Sequence, residues 1–127
     1  MSDFEDQAMK RLSAHLSSTY AALAALCLNL PVPITLPTGA VSNIEATPAV
    51  RRIMEIVEDQ PMPEAQQASL FAACAFWLGA LDLYGLLAQG EFSDARAHSA
   101  AANLLMASDT MSDVAEWLGD QPEPLDG

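Results

Sequence analysis

Asp82 is the ionisable side chain whose setting would do most to give it chemistry. It lies in ASLFAACAFWLGALDLYGLLA, Ala68 to Ala88, a stretch that is apolar nearly all the way round and carries no other charge. A carboxylate inside such a helix must be paired, hydrogen-bonded or protonated, and a protonated one could act as a general acid. A single carboxylate with no second functional group is weak support for catalysis. Asp82 is therefore expected to be a structural buried charge, either facing a partner such as Arg96, His15, His98 or Tyr20 or standing at a wet opening in the small-residue seam.

Two further groups of charges have spacings that could matter. No Lys or Arg follows Arg96, while Asp109, Asp113, Glu116, Asp120, Glu123 and Asp126 recur every three or four residues. On a helix, such a row could imitate nucleic-acid phosphates and occupy a basic groove of another protein. Gly119 and Pro122 are expected to break the row, leaving a solvated face, with Asp113 and Glu116 as its candidate contact residues. Arg51 and Arg52 fall in the first turn of a helix, where cations oppose the helix dipole at a cost of a few tenths of a kcal/mol, roughly, for each. Glu55 can pair with either of them. Alternatively, the two arginines serve a contact outside the helix.

Other chemistry lacks support. Phosphate loops, dinucleotide fingerprints, hydrolase elbows and zincin motifs do not occur. His15 and His98 have no Cys or His at ligand spacing, so neither a metal nor a cofactor is expected, and the chain is read as a non-enzyme. Cys27 and Cys74 each sit in an apolar helical pattern, as buried free thiols of a reducing compartment do. The N-terminus MSDFEDQAMK lacks the features of a secretory signal, which points to the cytoplasm. Seventeen acids against five bases give a net charge of -12, which opposes direct binding to nucleic acid or an anionic membrane. The stretch 70–88 could nearly cross a bilayer by length. Asp82 within it, Trp77 near its middle and the acidic flanks Glu64, Glu91 and Asp94 argue against that.

These groups need elements to hold them. Ser2 with Glu5 forms a capping box that starts a first helix, and Phe4, Ala8, Leu12, Leu16, Thr19, Leu23, Leu26 and Leu30 form its stripe. Pro31, Pro33 and Pro37 make the next segment extended, and 31–47 is expected to be a strap over the core. Val32, Ile34 and Leu36 should share one side of it, available to the domain's own core or to a partner. Thr47 as N-cap and Pro48 at N1 predict a second helix running to about Asp59. The central helix is expected over about 63–89, closed by Gly90. Ala68, Ala72, Ala75, Gly79 and Asp82 give it a small-residue seam that allows close helix approach. A fourth helix is expected over 94–107, and a short fifth begins at the Thr110–Asp113 capping box and stops at Gly119.

The segment Gly90-Glu91-Phe92-Ser93-Asp94-Ala95, with Ala102 seven residues on from it, resembles the inter-helix turn of a tetratricopeptide repeat over about 20 residues. That resemblance implies an antiparallel helical hairpin with a short loop. No second copy follows at the repeat period, so only the hairpin is carried over.

The expected fold is all-α, a compact five-helix bundle around a long central buried helix, with a single domain at 1–119 and a disordered acidic tail at 120–127. The expected function is that of a small acidic regulator working through protein-protein contact. It would be an anti-activator or inhibitor that sequesters a transcription factor or other effector, as a homodimer, with a partner offering a basic or apolar surface. The alternatives are a nucleic-acid-mimicking inhibitor of a DNA- or RNA-binding protein, and an acidic secretion or assembly chaperone.

Overall fold

The computed structural model describes residues 3–121. The Ser2 cap, Glu123, Asp126 and most of the expected tail lie outside the described residues. Those described form four α-helices and one 3-10 turn: α1 (Asp3–Leu28), α2 (Asn43–Ile56), the turn Val57–Asp59, α3 (Glu64–Ala88) and α4 (Asp94–Asp120).

The most extensive packing is the α3–α4 hairpin, joined by the short loop 89–93; α1 lies against both of its helices, and α2 with the 3-10 turn packs on α3. Gly90 closes α3 at φ +93°, a conformation that side chains with a Cβ rarely adopt. The Ser93 hydroxyl caps α4 by accepting from the Arg96 backbone N–H at 3.1 Å. Leu16, Leu23, Ile53, Leu70, Trp77 and Leu104 are among the buried side chains at the centre.

The expected fourth and fifth helices are one. Ala100, Leu104, Ala107, Met111 and Val114 are all buried, at spacings of four, three, four and three, so the apolar stripe runs straight through 107–110. Thr110 caps nothing; its hydroxyl donates to the carbonyls of Met106 and Ala107, at 3.0 Å each. Gly119 lies inside the helix instead of stopping it, and the domain boundary expected at 119 falls within α4.

The second helix begins at Asn43, four residues before the expected start. Ser42 is its N-cap residue, and the Ser42 hydroxyl lies 3.4 Å from Glu45 Oε1. Pro48 therefore sits in the second turn and removes the bond that its N–H would make to the Ile44 carbonyl. Ile44 is 87% exposed, so solvent is close to that carbonyl.

The non-helical connection is consequently 29–42 instead of 31–47. Ile34 N–H donates to the Cys27 carbonyl at 2.9 Å, and the Tyr20 hydroxyl donates to the Pro37 carbonyl at 2.7 Å. Gln60 holds Val32 at both backbone groups, accepting from its N–H at 3.0 Å and donating to its carbonyl at 2.7 Å. With the chain bent at 30–32 and clamped in this way, the three aliphatic side chains do not share a side: Leu36 is 5% exposed, Ile34 is half-buried and Val32 is 55% exposed.

Candidate partner-binding faces and an inner pocket

One face of α3 stays exposed although the helix is apolar nearly all the way round. Leu70, Ala73, Cys74, Trp77, Ala80, Leu81 and Leu87 are buried, while Glu64, Ala68, Phe71, Ala75, Asp82 and Leu86 are exposed. The exposed set recurs at helical spacing and forms one stripe. Asp82 belongs to that stripe. It is a solvated carboxylate, and the expected buried charge does not exist, because α3 is covered by its neighbours on its inner side only.

The small-residue seam divides in the same way. Ala68 and Ala75 are exposed, and Ala72 and Gly79 are half-buried. Gly79 makes the close approach: a Cβ added there would lie 3.0 Å from Asn103 Nδ2 of α4. At the start of the stripe, Phe71 is 45% exposed and borders an open groove of about 610 Å³ shared with Val57, Glu58, Glu64 and Gln67. Gln67 secures one wall by donating to the carbonyls of Glu58 and Gln60, at 3.3 and 3.0 Å.

The acidic row is more continuous than the sequence implied. Asp109, Asp113, Glu116 and Asp120 are all exposed on the single helix α4. Asp113, Glu116 and Asp120 line a shallow groove with Trp117, opposite Gln66 and Ser69 of α3. Arg52 Nη1 lies 3.8 Å from Glu55 Oε2, with both side chains exposed, a pairing of small energetic weight. Arg51 is exposed and forms no ion pair among the described residues. Since α2 and α4 make no contact, the fold does not bring the arginines and the acidic row together.

Cys27 and Cys74 are free and fully buried. Burial pushes both thiols up to about 12, which makes them unreactive packing residues. Among the described residues, no group of three or more His, Cys, Asp or Glu side chains is placed to hold a metal ion.

An inner pocket of about 150 Å³ lies between α1, α3, the start of α2 and residues 38–41. Leu16, Tyr20, Ala46, Trp77 and Leu81 are its buried residues, and Ser17, Ala21, Thr38, Gly39 and Asn43 its exposed ones. Trp77 is fixed by its indole N–H, which donates to the Leu16 carbonyl at 3.1 Å. Its ring centroid is 5.5 Å from that of Tyr20, at an interplanar angle of 48°. Sequence reasoning missed this pocket. The available signal was Trp77 itself, because an indole N–H in an apolar stretch needs an acceptor on a neighbouring element. No protein-family model, no curated protein and no solved structure gives a significant match to this chain.

Proposed function

We propose that this protein is a non-enzymatic cytoplasmic regulator that binds another protein through the outward stripe of α3 and thereby blocks that protein from assembling. A transcription factor or a comparable effector fits this role. The carrying observation is that α3, apolar enough by composition to cross a membrane, keeps Phe71, Ala75 and Leu86 exposed along one line. The fold covers most of this apolar helix and leaves a narrow stripe without a cover. Length and composition alone would let this helix cross a membrane, but Asp82 stands exposed on its open face, and a carboxylate inside a spanning segment is costly. Glu64 and Asp82 lie within the stripe and Glu58 lines the groove beside it, so the partner that fits is an apolar segment that also carries Lys or Arg.

A second copy of the chain is the next occupant of this face, favoured by Ala68 and Ala75, which permit close helix crossing. Repulsion between two chains of net charge -12 works against it. Nucleic-acid mimicry is favoured by the unbroken carboxylates of α4. Their spacings of four, three and four residues give one charge per roughly 5.5 Å of helix axis, sparser than the roughly 3.4 Å of a nucleic-acid strand. An assembly chaperone would use the same apolar stripe as the regulator.

Capture from native extract with three baits separates these readings. A partner retained by the wild type and by Asp113→Arg/Glu116→Arg, but lost by Phe71→Asp/Ala75→Asp, supports the stripe. Loss with the α4 variant alone moves the function to mimicry. Size-exclusion with light scattering tests the homodimer, which a strict monomer at high concentration removes.

A further inference from the structure

The geometry points to the inner pocket between α1, α3 and residues 38–41 as a binding site for a small neutral aromatic molecule, a single ring with one polar substituent. Its volume of about 150 Å³ matches the size at which an apolar cavity holds a benzene ring. Its buried lining includes two aromatic side chains, Tyr20 and Trp77, held 5.5 Å apart between centroids, a lining that favours a planar aromatic guest. Neither ring offers a free donor to a charged ligand: the Trp77 N–H is committed to the Leu16 carbonyl and the Tyr20 hydroxyl to the Pro37 carbonyl.

No carboxylate, ammonium or guanidinium group lines the pocket. An ion entering it would lose its hydration without gaining a partner. Ser17, Thr38 and Asn43 are the exposed polar side chains at the pocket, and they set the place for one hydroxyl or amine on the guest. The Tyr20–Pro37 bond also ties down the segment that carries Thr38 and Gly39, so the wall is preformed. The site is separate from the outward stripe of α3, since Trp77 and Leu81 lie on the buried side of that helix, and it does not depend on the partner-binding role.

Phenol is the probe, followed by two-dimensional NMR on the full-length chain. The expected result is saturable shifts of the Trp77 indole N–H and the Gly39 amide, with the indole N–H of Trp117 unmoved as an internal reference. Ala46→Leu fills the buried end and Ala21→Trp covers the mouth from an exposed helical position. Each should weaken phenol at least about tenfold while the far-UV spectrum stays that of a helical protein. Benzoate, the same ring with a carboxylate in place of the hydroxyl, should not bind. The proposal is overturned if phenol leaves Trp77 and Gly39 unmoved or moves both indoles alike. It is equally overturned if the folded Ala21→Trp variant binds phenol as the wild type does, or if benzoate binds as tightly as phenol.

Discussion

Gly79 and Gly85 stand on the same helix in different surroundings, which makes them a quantitative test of the α3–α4 packing. Both are helical, and alanine is favoured over glycine in a helix interior by about 1 kcal/mol. Nothing lies within 4 Å of a Cβ added at Gly85, although the position is in the last turn of α3, so Gly85→Ala should stabilise by about 0.5–1 kcal/mol. At Gly79 the added methyl would meet Asn103 Nδ2 at 3.0 Å. The amide tip must turn aside, and holding a side chain off its preferred rotamer costs about 0.5–1.5 kcal/mol. The two effects nearly cancel, and Gly79→Ala should be close to neutral. Removing the obstacle restores the gain: in an Asn103→Ala background, Gly79→Ala should again stabilise by about 1 kcal/mol, a coupling between the sites of about 0.5–1.5 kcal/mol. An unfolding entropy of about 2.1 cal/mol/K per residue makes 1 kcal/mol worth about 4 °C at this chain length. Urea titration followed by circular dichroism, with thermal melts in parallel, measures the wild type and the four variants. Equal stabilisation by Gly79→Ala and Gly85→Ala, with no coupling to Asn103, would refute the close approach. A loss of more than about 2 kcal/mol at Gly79 would mean that the methyl meets backbone and not a movable amide.

Two other expectations follow from buried groups. Gln60→Ala removes both bonds to Val32 and should lower stability by about 1–2 kcal/mol, because water can reach the backbone of that exposed residue; faster hydrogen exchange at the Ile34 amide, read by NMR, would show that the 29–42 connection has loosened. Cys27 and Cys74 titrate near 12 in the folded protein against an ordinary 9.0, chiefly because burial disfavours the thiolate. Above pH 9 the unfolded chain holds fewer protons than the folded one, so their contribution to stability is complete below about 9 and is lost between 9 and 12. The slope is at most about 1.4 kcal/mol per pH unit for each thiol. A Cys27→Ala/Cys74→Ala variant should show a shallower decline in urea midpoint over that range, and an equal decline would remove the thiols as its cause.

The bounds of α3 were legible because Pro63 and Gly90 punctuate the chain in ways that only backbone geometry explains. Elsewhere a local signal competed with a longer one and lost. Thr110 and Asp113 have capping-box spacing, but Ala107, Met111 and Val114 keep the register of one stripe, and burying that stripe outweighs a cap worth about 1 kcal/mol. Thr47-Pro48 looked like a helix start, while Ser42 and Glu45 have capping-box spacing five residues before Thr47 and Ala46 had to enter the core. The error at Asp82 was of another kind: helical apolarity was read as burial, and apolarity does not say how many sides of a helix the rest of the chain can cover. The roles of Gln60, Tyr20 and Trp77 depend on distant backbone groups at Val32, Pro37 and Leu16, which no local pattern reveals.

The size of α3 also limits what could cover its outward stripe. Twenty-five residues at 1.5 Å each give a helix about 37 Å long, and a face about 10 Å wide then offers roughly 370 Å². A stable complex buries about 800 Å² on each partner, so the stripe supplies about half of what is needed. The remainder has to come from surfaces beside it, and the groove at Phe71 is the one that opens directly onto it. Its residues Glu58, Glu64 and Gln67 are polar or acidic, so a segment lying along Ala75 and Phe71 and continuing into the groove passes from apolar contact to carboxylates. That order favours a helical partner with aliphatic residues along one face and Lys or Arg at one end. It also makes Phe71, where the stripe and the groove meet, the side chain whose loss should weaken binding most.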